Sequence, residues 1–407
     1  MTKKRVIGLL IIVVLITNII TFGLTNLMSI KFKNKAYIPR MEYDRLRSVY
    51  NQFSKVIALE KYIDENYLRD VDEEKLLEGQ LRGLVQSLGD PYSAYMTEDE
   101  FNSLMEQTSG VFAGVGIVVT PGEDNLITVV SPIEGTPGER AGIRSGDKII
   151  SVNGKEFVGE NMDEAVKVMK GEPHTQVILT IMRKNKNGAN EVFDLEITRE
   201  IIRLITVKSN IIDDDIGYIN ITSFDNLTYK DFKTELDKLG RKGIKGLIID
   251  LRNNPGGLLD VTAQIADELL GEGDIVYTET KNGEREYLKS KKSMVTYPIV
   301  LLVNEGSASA SEILAGAIKD HNRGTLVGTT TFGKGVVQRI KDLGDGTGLK
   351  LTISEYFTPN GINIHGIGIE PDIVVELPED VMEIGVENLS QDTQLKRAID
   401  EIKLKIK

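Results

Sequence analysis

The chain opens on its longest apolar run. From Val6 to Leu24 the sequence VIGLLIIVVLITNIITFGL is broken only by threonine, glycine and one asparagine. About 20 such residues span a bilayer as a helix. Lys3, Lys4 and Arg5 precede the run, and no small-x-small cleavage site follows it. It therefore reads as an uncleaved single-pass anchor rather than a removed signal peptide. Lys31, Lys33, Lys35 and Arg40 flank its far side, and residues 31 onward read as extracytoplasmic. The period then becomes helical. Leu46, Val49, Tyr50, Phe53, Val56 and Ile57 recur at helical spacing within 41–67, and Leu76 to Leu88 forms a second stretch that stops at Gly89-Asp90-Pro91. Residues 41–106 read as helical, closing on a short acidic helix.

Further on, the pattern predicts α/β structure over 200–375. Gly217–Ile221 is strand-like, Gly246–Leu251 reads as a buried strand that is apolar until its end, and Pro298–Val303 is a second buried strand. Helices are predicted from about Leu259 to Leu270 and from Glu312 to Asp320. Strand, loop and helix in repetition place chemistry at the carboxyl ends of the strands. At the end, Leu395, Ala398, Ile399, Ile402 and Ile406 form one stripe of an amphipathic helix.

Composition narrows the classes. A chain of 407 residues suggests two or three domains. The net charge of −12, with no basic stripe interleaved with aromatics, argues against a nucleic-acid partner. Cysteine is absent, which excludes disulfides, thiolate ligands and a cysteine nucleophile. His174, His321 and His365 are scattered without metal-ligand spacing, so no metal and no cofactor is expected.

Two segments carry candidate chemistry. Gly306-Ser307-Ala308-Ser309-Ala310-Ser311-Glu312 sets serines among small residues at the mouth of a helix, and Phe332-Gly333-Lys334-Gly335-Val336-Val337-Gln338 sets a lone lysine between glycines. A serine hydroxyl is a weak nucleophile unless a neighbouring base takes its proton. A lysine can do so only when neutral, so burial must lower its pKa from about 10.4. If the second segment is extended, 334, 336 and 338 share one face, and Gln338 accepts a hydrogen bond from the amine. The Ala310 N–H, first in the helix, suits an oxyanion. Against this stands the capping box Ser309-x-x-Glu312, in which the hydroxyl only caps a helix. Ser307 and Ser311 are rival nucleophiles by spacing, and His321 offers a Ser-His alternative.

These two segments resemble the carboxyl-terminal processing peptidases, or tail-specific proteases. In that family the second serine of the Gly-Ser-Ala-Ser-Ala run is the nucleophile, here Ser309. The lysine lies 25 residues on (334 − 309 = 25) and a glutamine four further, matching Lys334 and Gln338. Gly89-Asp90-Pro91-Tyr92-Ser93 is also familiar from the family, and the resemblance spans about 85 to 375. It implies a glycine of the Asn254-Pro255-Gly256-Gly257 loop in the oxyanion hole, with Gly257 preferred to Gly256. Residues 110–185 resemble a PDZ domain. Gly114-Val115-Gly116-Ile117 would bind a terminal carboxylate through backbone N–H groups, glycine allowing close approach. Met162, Ala165, Val166 and Met169 would wall the peptide groove.

The expected architecture is a membrane anchor (1–35), a helical N-terminal region (36–106), a PDZ domain (107–190), a crotonase-like α/β serine peptidase core (191–380) and a helical tail (381–407). The expected activity is that of a membrane-anchored serine endopeptidase acting on protein substrates with apolar C-terminal tails. A silent PDZ scaffold and a crotonase-like acyl-transfer enzyme are the competing classes. The apolar stripes of 41–67 and 392–406 pack either on their own chain or across a homodimer.

Overall fold

The computed structural model describes residues 3–27, 30–32, 35–185, 187–291, 294–378, 381 and 383–406. Lys33 and residue 380, at the expected end of the core, lie outside the described residues. The chain divides into two compact units, Met1–Leu84 and Val85–Lys407.

In the first unit, helix Lys3–Leu27 has a stretch, Lys3–Gly23, long and apolar enough to cross a membrane. The apolar side chains from Val6 to Phe22 are exposed. Helix Arg40–Asn66 buries no residue, and Leu46, Val49, Tyr50, Phe53 and Ile57 on its stripe are all exposed.

In the second unit the central sheet runs in the order Val207–Ile212, Ile216–Ile221, Gly246–Asp250, Ile299–Val303, Gly324–Gly328, Ile373–Val374. The first pair is antiparallel and the others parallel. Every residue of Gly246–Asp250 and Ile299–Val303 is buried, as a parallel sheet covered on both faces requires. Alternate residues serve opposite faces. Leu247, Ile249, Ile299, Leu301 and Val303 join the core beneath helices Thr228–Arg241, Leu259–Leu269 and Ala310–Asp320. Ile248, Val300, Leu302 and Val327 meet Leu395, Ala398, Ile399 and Ile402 of the last helix, Thr393–Lys405.

The last helix thus packs on its own core. Leu395 is 0% and Ile399 6% exposed, so the stripe of 392–406 is already covered and offers nothing to a second copy. A buried ion cluster fixes its start. The Arg252 guanidinium lies 2.6 Å from Asp250 and 2.8 Å from Asp392, and its Nη1 donates to Gln394. Asp392 also accepts the Leu395 and Gly385 N–H groups. Buried charge is tolerable only when paired and hydrogen-bonded in this way.

A second sheet runs Arg285–Ser290, Gly273–Thr280, Gly348–Phe357, Val336–Asp342, with Ala94–Met96 added to Gly348–Phe357. The expectation of an all-helical 41–106 is corrected here. Ser93 accepts the Thr352 N–H, and residues 94–96 pair with 348–350. Helix Glu98–Ser109 then follows, with Thr97 and Glu100 as its capping box.

The remaining sheet runs Asn190–Thr198, Gln176–Lys184, Lys148–Val152, Ile127–Pro132, Ile117–Pro121, leaving Ile117–Pro121 at an edge. Its core gathers Ile127, Ile149, Val152, Leu179 and Ile181. The chain enters this body along Val111–Gly114 and leaves along Glu200–Arg203. These two strands pair antiparallel, with Phe112 opposite Ile202.

Candidate active site

The carboxyl ends of Gly246–Asp250 and Ile299–Val303 release two loops, 251–257 and 304–309, and the chain stitches them together. Ser307 donates to the Leu251 carbonyl at 2.8 Å, and Ala308 N–H and Ser311 Oγ both reach the Asn254 carbonyl, at 3.0 and 2.9 Å. Asn304 and Asn253 exchange side-chain and backbone bonds. Ser307 and Ser311 are fully buried and spend their hydroxyls on this stitching. Neither hydroxyl faces the cleft that Ser309 lines.

The helix begins at Ala310, two residues before the expected Glu312, and Ser309 is its N-cap. Ser309 holds φ 54° and ψ −112°, a conformation L-residues rarely adopt. The same positive-φ strain lifts the nucleophile out of a strand-to-helix turn in α/β-hydrolases. Only half of the capping box operates. The Glu312 carboxylate accepts the Ser309 N–H at 2.8 Å, but the serine hydroxyl makes no cap bond.

Glu312 is fully buried and gathers more than that cap. It accepts Thr331 Oγ1 at 2.6 Å, Gly333 N–H at 2.7 Å and Lys334 N–H at 2.9 Å. One carboxylate thereby ties the backbone of Ser309 to the backbone of Lys334. Ser309, Ala310, Gly256, Gly257, Lys334 and Gln338 all line one cleft of about 610 Å³. Leu258, Ile313, Val337 and Tyr356 give it apolar walls, and the Tyr356 hydroxyl donates to the Ser309 carbonyl.

Lys334 has its Nζ 5.0 Å from the centre of the Tyr92 ring. Burial lowers its pKa below the ordinary 10.5, and the positive charge of Lys350 pushes the same way, while Glu312 and Asp90 oppose both. The expected alternation of 334, 336 and 338 is interrupted, because a bulge falls between Val337 and Gln338. Gln338 still lines the cleft, but its amide donates to Thr352 Oγ1 at 3.2 Å rather than receiving the lysine amine. His321 caps the far end of the 11-residue helix that Ser309 opens, about 18 Å away at 1.5 Å per residue. It bonds the Asp274 carbonyl, so it stands outside the cleft.

The two glycines differ. Gly256 N–H donates to Asn254 Oδ1 and is occupied. Gly257 N–H and Ala310 N–H have no acceptor among the described residues. Both glycines hold positive φ, and a Cβ on Gly256 would lie 2.9 Å from Ala310 N and from Ser309 Cβ. The cleft is therefore lined by a hydroxyl, a half-buried amine and two N–H groups without an acceptor among the described residues.

At the edge sheet, Gly116 holds φ 77°, and a Cβ there would meet the Thr136 side chain at 2.4 Å. Thr136 Oγ1 in turn donates to the Gly116 carbonyl. Glycine is thus required at 116 by packing inside the body, whatever approaches from outside. Gly114 and Val115 lead into this turn, and Ile117 opens the edge strand. Of the four residues expected to wall a groove, Ala165 and Met169 are buried in the core, and Met162 and Val166 are half-exposed.

Sequence reasoning missed Tyr92, Glu312 as a bridge, Lys350 and Thr352. The signal for Glu312 was present in Ser309-x-x-Glu312. Tyr92 is brought in by the pairing of Ala94–Met96 with 348–350, more than 200 residues on, and Lys350 and Thr352 by the pairing of Gly348–Phe357 with Val336–Asp342.

Known proteins give this geometry a context. Peptidase family S41 matches residues 215–375, a PDZ domain matches 128–183, and the N-terminal domain of the activating protease CtpB matches 14–100. The chain is 39% identical over 373 residues to the carboxy-terminal processing protease CtpA of Bacillus subtilis, covering 91% of this chain and 77% of that protein. It is 41% identical over 339 residues to the carboxy-terminal-processing protease of Bartonella bacilliformis, covering 82% and 77%. A putative S41 protease of Bacteroides fragilis has a similar fold at TM-score 0.51 and 15% identity, over 83% of this chain and 91% of that one. The chain belongs to peptidase family S41 and is a carboxy-terminal processing serine protease with a PDZ domain.

Proposed function

We propose that the protein is a membrane-anchored endopeptidase in which Ser309 attacks the scissile carbonyl and Lys334, deprotonated, takes its proton. The observation that carries this reading is the single carboxylate of Glu312 joining the Ser309 and Lys334 backbones beside a serine in a strained conformation. The neutral amine accepts the hydroxyl proton as the carbonyl is attacked, then returns it to the leaving amine. Ala310 and Gly257 N–H groups take the oxyanion. Gln338 holds the far side of the cleft through Thr352. No cofactor enters the scheme.

In the same reading the apolar helix anchors the chain with the catalytic part outside the cytoplasm. The Gly114–Ile117 turn binds the carboxylate of an apolar C-terminal tail, and the open edge Ile117–Pro121 takes the tail as an added strand. The exposed stripe of Arg40–Asn66 pairs two copies into a homodimer.

The full chain, in detergent, decides the central point. Ser309→Ala is expected to abolish cleavage of a protein with an apolar C-terminus, with Ser307→Ala and Ser311→Ala measured beside it. Lys334→Arg is expected to be inactive, since a guanidinium stays charged. Cleavage by Ser309→Ala at the wild-type rate would end the proposal. Amidating the substrate's C-terminus tests the tail reading separately, and unchanged affinity would end that part alone.

A further inference from the structure

A second lysine stands in the cleft. Lys350 lies on strand Gly348–Phe357, where alternate residues share a face. Thr352, on that face, receives the Gln338 amide, and Tyr356 reaches the Ser309 carbonyl. Lys350 lines the cleft with Tyr356 and is half-buried. Its ammonium has no hydrogen-bond or ion-pair partner among the described residues.

The charged and titratable groups around Lys334 come from four elements. Glu312 faces it from the helix after Ser309, and Asp90 and Tyr92 from the turn before Ala94. Lys350 and Tyr356 face it from the strand, and His365, which takes the Gly335 N–H on Nδ1, from the loop after Asn363. The two acids are already engaged. Glu312 holds four donors, and Asp90 holds the Ser93 hydroxyl and the Tyr92 N–H. Their donors are neutral N–H and O–H groups, so both acids keep their charge, and Asp260 lines the same cleft; Lys350 forms an ion pair with none of the three. Like charges that share a cleft disfavour each other, the more strongly where burial weakens screening.

We propose that Lys350 is a positioning residue for the reaction: its unpaired charge, held on the cleft-facing side of the strand, favours the neutral, proton-accepting form of the Lys334 amine. This rests on the reading of Lys334 as the base. The lowered pKa of Lys334, caused first by burial and next by Lys350, agrees with it. Removing the charge raises the pH at which Lys334 gives up its proton, so activity shifts to higher pH.

The test uses the full chain in detergent micelles and a peptide substrate without acidic residues. kcat and KM are followed against pH for wild type and for Lys350→Met, Lys350→Arg and Lys350→Glu. In parallel, competitive acetylation of Lys334 against pH, read by mass spectrometry in a Ser309→Ala background, reports that amine directly. The acid limb of kcat and the Lys334 labelling curve are expected to move up together for Lys350→Met and further for Lys350→Glu. Lys350→Arg is expected to stay near wild type. Each unit of upward shift costs about tenfold in kcat on the acid limb, with KM little changed. An unmoved labelling curve in Lys350→Met and Lys350→Glu overturns the proposal while leaving Lys334 as base. A loss confined to KM, seen only when acidic peptides replace the neutral one, overturns it in favour of a substrate contact. A Lys334→Met chain that still cleaves removes the base itself, and the proposal falls with it.

Discussion

Glu312 shows how one residue can serve two segments that the chain delivers separately. Its spacing from Ser309 was legible as a capping box, but its bonds to Thr331, Gly333 and Lys334 depend on a loop some twenty residues later folding back over the helix. Glu312→Gln keeps the volume but turns an amide NH₂ towards donors that need an acceptor. It is expected to lower kcat far more than it changes KM, and to destabilise the fold by about 1–3 kcal/mol in urea titration. An unchanged kcat would mean that the carboxylate is structural only. Ser309 supplies a second prediction. Its hydroxyl makes no cap bond, and its backbone lies where glycine is at ease. Ser309→Gly is therefore expected to be inactive yet more stable, by about 1 kcal/mol, measured as the shift in urea midpoint. A lower midpoint would show that the serine conformation is not strained. The glycine-rich flanks brought forward both segments, and the resemblance to the processing peptidases pointed within them to Ser309, Lys334 and Gln338, spacing alone leaving Ser307 and Ser311 as rivals. The sequence did not mark Tyr92, Thr352 or Lys350, because a polar residue on a strand looks the same whether it faces solvent or a cleft.

Among the elements, the buried strands were read correctly because their apolar runs are continuous, Gly246–Asp250 and Ile299–Val303 above all. Two readings failed for physical reasons. Ala94–Met96 has only three residues, too few for a period to show, and its partner strand lies some 250 positions on. The alternation across 334–338 broke at a bulge, and a period of two carries no sign of where a bulge will fall. The Arg252 cluster was also invisible, since Arg252 and Asp392 are 140 residues apart. It has a testable cost. Burial alone would raise the Asp392 pKa, but the Arg252 bonds and charge and the Leu395 and Gly385 N–H groups outweigh it, leaving the pKa below the ordinary 3.8. A carboxyl depressed in this way contributes stability that is present above its unfolded value and is lost as the pH falls through its folded one. Asp392→Ala is expected to destabilise by about 3 kcal/mol near neutral pH. The difference from wild type should shrink in acid below about pH 4. A difference independent of pH would assign the loss to the helix cap instead.

At the scale of the whole molecule, the two amphipathic ends have different fates. The stripe of Thr393–Lys405 is spent on its own core, whereas that of Arg40–Asn66 lies open. Leu46→Asp with Phe53→Asp is expected to convert a dimer into folded monomers in light scattering of the detergent-solubilised chain. Leu395→Asp with Ile399→Asp is expected to unfold the core. A wild-type mass of one chain would dismiss the dimer. The connection between the PDZ body and the peptidase has another kind of consequence. Its entering and leaving strands, Val111–Gly114 and Glu200–Arg203, already lie side by side, with Phe112 opposite Ile202. Paired residues of this kind are about 5 Å apart, within reach of a two-residue turn. To the peptidase sheets the whole PDZ body is one long hairpin loop. A gene that lost the intervening codons and gained an Asn-Gly in their place would still encode a closed ribbon. Recognition modules hung in this manner can be exchanged, lengthened or discarded by recombination without the chain around them having to be redesigned.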